Sequence, residues 1–158
     1  VAGGLNAVSS FGDIDLEGGS ANRVEARTSS GTVTLRDLSV KEAVTGTSEF
    51  GDIVCLRVAA KDLTLNTSSG SIEYNGPLGA GRTMLTTGFG DIRIVLTGEP
   101  AFHLDLQTDF GGIQSEIAVT VEGSMTGMHW TGTVGNPESD MPGLEARTSS
   151  GDIELDKG

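Results

Sequence analysis

An internal disulfide is excluded, since the 158 residues include a single cysteine, Cys55. With 5 Phe, 1 Tyr and 1 Trp in the whole chain, a turn-rich solenoid fits better than a globule with an aromatic core. Positive charge is scarce as well. Ten basic residues face 22 acidic ones, for a formal net charge of −12, and a chain without a basic face is a poor partner for nucleic acid. No apolar run approaches the roughly 18 residues that would span a membrane as a helix. A helical period is missing too. The chain begins at Val1 without a charged and then apolar leader, which fits a mature or trimmed ectodomain.

What the chain has in abundance is glycine, 24 residues of it, and the glycines are periodic. Gly12, Gly31, Gly51, Gly70, Gly90, Gly111, Gly132 and Gly151 follow one another at intervals of 19 to 21 residues. Two positions after each stands a branched aliphatic residue: Ile14, Val33, Ile53, Ile72, Ile92, Ile113, Val134 and Ile153. Four positions after it, Leu16, Leu35, Cys55, Tyr74, Ile94 and Leu155 are apolar, while Ser115 and Asn136 are not. Apolar residues also recur five and seven positions before the glycine, as in Leu63/Leu65, Leu104/Leu106 and Leu144/Ala146. Polar residues fill the intervals, the alternation of strands buried on one face.

A unit of about 20 residues with two such strands cannot bury its own apolar face, whereas stacked units share one interior. The sequence therefore predicts an all-β solenoid of about eight rungs, a single domain over residues 1–158 with an irregular stretch at about 115–143. The eight branched aliphatics form its interior ladder. In that register Cys55 is a buried, inert thiol. Residues 135–143 read as a loop.

Other columns follow the same period. Ser9, Thr28, Ser48, Thr67, Thr87, Thr108 and Thr148 lie three before their glycines, with His129 as the departure. Short hydroxyls there are placed to satisfy turn amides. Phe11, Phe50 and Phe89 precede every second glycine, with Ser30 and Ser69 between them; packing over the glycine turns is the expected role for this column. Asp13, Asp52 and Asp91 alternate in the same way with Thr32 and Ser71. On alternate rungs carboxylates stand about 10 Å apart, near a Debye length, so the alternation reads as charge spacing. The last unit, GLEARTSSGDIELD, is the cleanest copy. As the end of a solenoid it would be an uncapped edge, the kind that meets another copy.

Chemistry is hard to find in this pattern. The aspartates share one repeat position, and His103 and His129 have no nucleophile beside them in a recognisable setting. The expectation is no catalytic residue, no metal site and no cofactor. Trp130, with Met128, His129 and Met141, mixes large apolar groups with an irregular rung and is the one candidate contact patch.

The ARTSSGDIEL, SSFGDIDL and TSSGSIEY motifs resemble the bacterial putative-adhesin family of SGDI-repeat domains over essentially the whole chain. That resemblance implies a single-stranded right-handed β-helix of the pectin-lyase-like kind, exported or at the cell envelope, without known enzymatic activity. The expected function is thus a non-enzymatic scaffold or binding protein outside the cytoplasm, with a cell-surface glycan or protein, or a second copy, as partner. Self-assembly end to end into filaments is the first alternative. A carbohydrate-active enzyme is the second.

Overall fold

The computed structural model describes residues 3–76, 81–97, 102–117, 120–125, 129–134 and 143–157. All of its described regular structure is strand. In chain order these are β1 (Gly4–Phe11), β2 (Ile14–Ser30), β3 (Val33–Phe50), β4 (Ile53–Leu56), β5 (Asp62–Ser69), β6 (Ile72–Gly76), β7 (Arg82–Phe89), β8 (Ile92–Leu96), β9 (Phe102–Phe110), β10 (Ile113–Ser115), β11 (Thr120–Met125), β12 (His129–Val134), β13 (Gly143–Ser150) and β14 (Ile153–Lys157).

Each repeat is an arm before its glycine, a corner, and an arm after it. Like arms pair in parallel and in register, so Ile14, Val33, Ile53, Ile72 and Ile92 stand one above another. Each is at most 7 % exposed. Their alignment gives the dry interior of a β-solenoid, filled on the preceding arm by Val24, Val44, Leu63, Leu65 and Leu85.

The stack does not follow chain order. Above Ile92 comes Ile153, and only then Ile113. The preceding arm agrees, because β13 pairs with β7 on one side and β9 on the other. The units built on Gly12, Gly31, Gly51, Gly70, Gly90, Gly151 and Gly111 thus stack in that sequence, and the C-terminal copy is wedged between the fifth and sixth. Its side chains fasten it on both arms. Glu145 meets Arg82 on β7 and its own neighbour Arg147, and Asp156 pairs with Arg93 on β8 at 3.2 Å. The last copy reads like an interior rung because it is one.

Two expectations fail here. The terminal copy is not a bare end of the rod. Nor does a unit form around Gly132, which lies inside β12. That strand runs antiparallel to β9, pairing Val134 with Phe102 and Gly132 with Leu104, and β11 returns antiparallel on its far side. Val134 is buried, yet it lies outside the aliphatic column. The stretch 115–143 is therefore not a degenerate rung: its described strands are a hairpin laid across the edge of β9. At the opposite end β1 pairs, among the described residues, with β2 alone, and Leu5 and Val8 are exposed there. The predicted loop falls almost entirely on residues 135–142, outside the described residues.

The hydroxyl column does real bonding, but to carbonyls and not to amides. Thr28 donates to the carbonyl of Gly12, Ser48 to Gly31, Thr67 to Gly51 and Thr87 to Gly70, at 2.8–3.1 Å. Thr148 donates to Gly90 and Thr108 to Gly151. His129, on the hairpin, is no member of the column. The glycines themselves are required by close approach: a Cβ on Gly51 would stand 2.1 Å from the carbonyl oxygen of Gly31, at a φ of +143°.

A second bend follows the other arm. Asp37 and Arg57 hold left-handed φ values of 51° and 54° on neighbouring units, and the Arg57 guanidinium grips Asp37 at 2.5 and 3.0 Å. That hydrogen bond holds the Asp37 carboxyl below the usual carboxylate range. Cys55 is fully buried, and desolvation pushes its thiol up to about 12.

Candidate functional site

By strand alternation the residue just before each corner glycine is in phase with the buried positions three, five and seven before it, yet at the corner the phenylalanines are exposed and the serines half-buried. In stacked order this column reads Phe11, Ser30, Phe50, Ser69, Phe89, Ser150, Phe110. Insertion of the last copy is what makes the alternation regular, because it places Ser150 between Phe89 and Phe110. The four rings are 85 %, 62 %, 65 % and 76 % exposed. The expected packing of this column over the turns is therefore wrong: the glycine corner is narrow, its backbone is already in van der Waals contact with the next corner, and the ring has only solvent to enter.

Two rungs separate successive phenylalanines, about 9.6 Å at the sheet spacing. From Phe11 to Phe110 the row is six rungs, about 29 Å long. Ser30, Ser69 and Ser150 are half-buried between the rings, so the edge alternates a projecting apolar group with a recessed hydroxyl. Phe110 was not singled out by sequence reasoning. It belongs to the row through its place in space, although it follows Phe89 by 21 residues and not by 39.

Across the glycine runs a carboxylate column. Asp13, Asp52, Asp91 and Asp152 each accept the backbone amide of the next unit at 2.8 Å, from Thr32, Ser71, Asp152 and Gly112 respectively. Asp91 and Asp152 occupy adjacent rungs, so spacing of charge does not govern the column; capping the next turn amide does. The second oxygen of each carboxylate leaves this edge acidic. Among the described residues no group of three or more His, Cys, Asp or Glu is arranged to hold a metal ion.

The patch expected around Trp130 is partly in view. Trp130 is half-buried against the core and lies opposite Leu106 and Met125. His129 Nε2 stands 3.0 Å from Asp105 Oδ1 and 3.3 Å from Thr131 Oγ1. Met128 and Met141 lie outside the described residues. Beside the hairpin is a shallow hollow of about 270 Å³, walled by Arg82, His103, Asp105 and Glu145. Arg82 and Glu145 there are bound to each other.

Residues 1–156 match the Toastrack DUF4097 family. The chain belongs to that family. The Toastrack fold is β-solenoid-like, in keeping with the stack of parallel arms. A crystal structure of a putative cell adhesion protein from Clostridium sporogenes ATCC 15579 is similar to the chain, with a TM-score of 0.54, 10% sequence identity, and coverage of 99% of this chain and 92% of that one. At such identity the likeness is one of fold. No curated protein matches this Toastrack chain. Among the described residues there is no helix long and apolar enough to cross a membrane.

Proposed function

We propose that this Toastrack protein is a non-enzymatic binding scaffold of the cell envelope or the extracellular space, wound as a single-stranded right-handed β-helix, with the phenylalanine row as its contact edge. One observation carries the reading: four large apolar side chains project from a rigid corner into water, in register, where a fold selected for solubility alone would place polar groups. The similarity to a putative cell adhesion protein supports the same reading. A stack held by backbone ladders and buried aliphatics presents such a row without reorganisation on binding, which keeps the entropic cost of association low.

For the filament alternative, the last rung that first suggested it is interior to the stack, while the first unit presents an open edge, β1 pairing among the described residues with β2 alone. For the enzyme alternative, the aligned carboxylates each give one oxygen to a turn amide.

Cosedimentation of the purified chain with isolated bacterial envelopes tests the proposal, with Phe50→Ser/Phe89→Ser as comparison and release of new reducing ends as a second readout. Retention by the native chain, loss with the variant and no new reducing ends are the expected results. No retention at all, or hydrolysis, would overturn it.

A further inference from the structure

The phenylalanine row has a pitch as well as a chemistry, and together they select a class of ligand. We infer that the row binds an extended, uncharged β-1,4-linked polysaccharide laid along the rod, an inference that rests on the binding-scaffold reading. An aromatic face carries the negative lobe of its quadrupole and attracts polarised C–H bonds, which is what the flat face of a pyranose ring offers. In an extended β-1,4-linked chain each sugar is turned over relative to the last, so the same face recurs every second sugar. Two pyranose units in that conformation are about as long as two sheet rungs, which is the distance from Phe11 to Phe50, from Phe50 to Phe89, and from Phe89 to Phe110 across Ser30, Ser69 and Ser150.

The intervening serines fit the same ligand. Half-buried between exposed rings, they leave room for the alternate sugar and offer it a hydroxyl that both donates and accepts. An anionic polysaccharide or a nucleic acid strand would meet Asp13, Asp52, Asp91 and Asp152 across the corner, Glu49 and Asp109 beside the rings, and a net charge of −12. A second copy docking through this edge would meet the same carboxylates. Electrostatics therefore rejects those occupants and leaves neutral glycans in place.

The row binds as a multivalent strip: each ring adds a modest contact, and rigidity lets the contacts act together. Affinity should rise with glycan length until the glycan reaches all four rings, about 29 Å from end to end.

Sedimentation with microcrystalline cellulose and with chitin tests this directly, alongside amylose, whose α-linkage coils the chain, and alginate, which is anionic. The native chain should be retained on cellulose or chitin, and on neither amylose nor alginate. Phe50→Ser/Phe89→Ser, which alters only exposed side chains and should melt like the native chain, should weaken retention by at least about tenfold. Equal retention of that variant, equal retention on amylose, or no retention on cellulose and chitin would overturn the inference. Where the chain still sediments with envelopes but with neither polysaccharide, the ligand class is wrong and the scaffold reading stands; where it sediments with nothing, both fall.

Discussion

Thr108 donates its hydroxyl to the carbonyl oxygen of Gly151, 2.8 Å away and 43 residues further along the chain. Its counterparts in the second to fifth units reach back 16 or 17 residues to the glycine just passed. Thr148 reaches back 58, to Gly90. Those two bonds mark the seams where the C-terminal copy enters the stack. The sixth unit and its hairpin rest on that copy, so the order of the whole far end depends on the last residues of the domain.

The hydroxyl bonds should be worth most where the accepting carbonyl is sealed. Thr148→Val keeps the shape and removes the buried donor, leaving the half-buried Gly90 carbonyl short of a partner at a cost of about 1–3 kcal/mol. Among the described residues no unit stacks before that of Ser9, whose hydroxyl bonds within its own turn, to the carbonyl of Phe11. Ser9→Ala should cost less than about 0.5 kcal/mol. Urea unfolding of both variants checks the contrast, and equal losses would count against it.

Equivalent glycines should differ in the same manner. Gly51→Ala drives a Cβ into the Gly31 carbonyl, and neither backbone can retreat without breaking ladder bonds; the loss should exceed about 4 kcal/mol or abolish folding. At Gly12, φ +124°, the nearest atom to a new Cβ is Ser9 Oγ at 3.8 Å. Gly12→Ala should therefore show only conformational strain, about 1–3 kcal/mol. Circular dichroism and thermal melting separate the two.

Cys55 gives the fold an alkaline limit. Burial raises its thiol from 9.0 to about 12, so the folded chain keeps a proton that the unfolded chain loses near pH 9. The stability is complete below pH 9 and falls between 9 and 12, by about 1.4 kcal/mol for each pH unit. Tyr74, stacked on it in register, is raised in the same direction and by the same burial. Urea midpoints from pH 7.5 to 10.5 should fall less steeply for Cys55→Ala than for the native chain. Parallel decline would show that the thiol is not the cause.

Much of this was legible in the sequence, and what was not has a physical reason. The column from Ile14 to Ile153 could be read because every unit carries the whole local pattern: a β-branched residue at a fixed distance from a glycine and polar residues between. Which units are neighbours is a different kind of information. Parallel ladders of near-identical units fit any order, and only residues that depend on the rung beyond break the tie. One such signal was present. Phe and Ser alternate through Phe11, Ser30, Phe50, Ser69 and Phe89, then Phe110 follows out of turn, and Ser150 is the residue that restores the rhythm. Gly132 misled through its spacing, since a strand alternates identically whether its partner runs parallel or antiparallel. The donors of the hydroxyl column were legible but their acceptors were not, because a Ser or Thr hydroxyl serves either role. Exposure of the phenylalanines followed from the tight approach of neighbouring corners, a property of the stack and not of any one unit.

Cross-linking decides the order of the stack. Gln107 stands in register beside Arg147, and Arg147 beside Thr86, so Gln107 and Thr86 are two rungs apart. Neighbouring rungs bring Cα atoms within disulfide reach, and rungs about 9.6 Å apart do not. Gln107→Cys/Arg147→Cys should oxidise readily to an intramolecular disulfide while Thr86→Cys/Gln107→Cys stays reduced. A disulfide in the second variant and none in the first would mean that the units stack in chain order, and the inserted last copy would have to be abandoned.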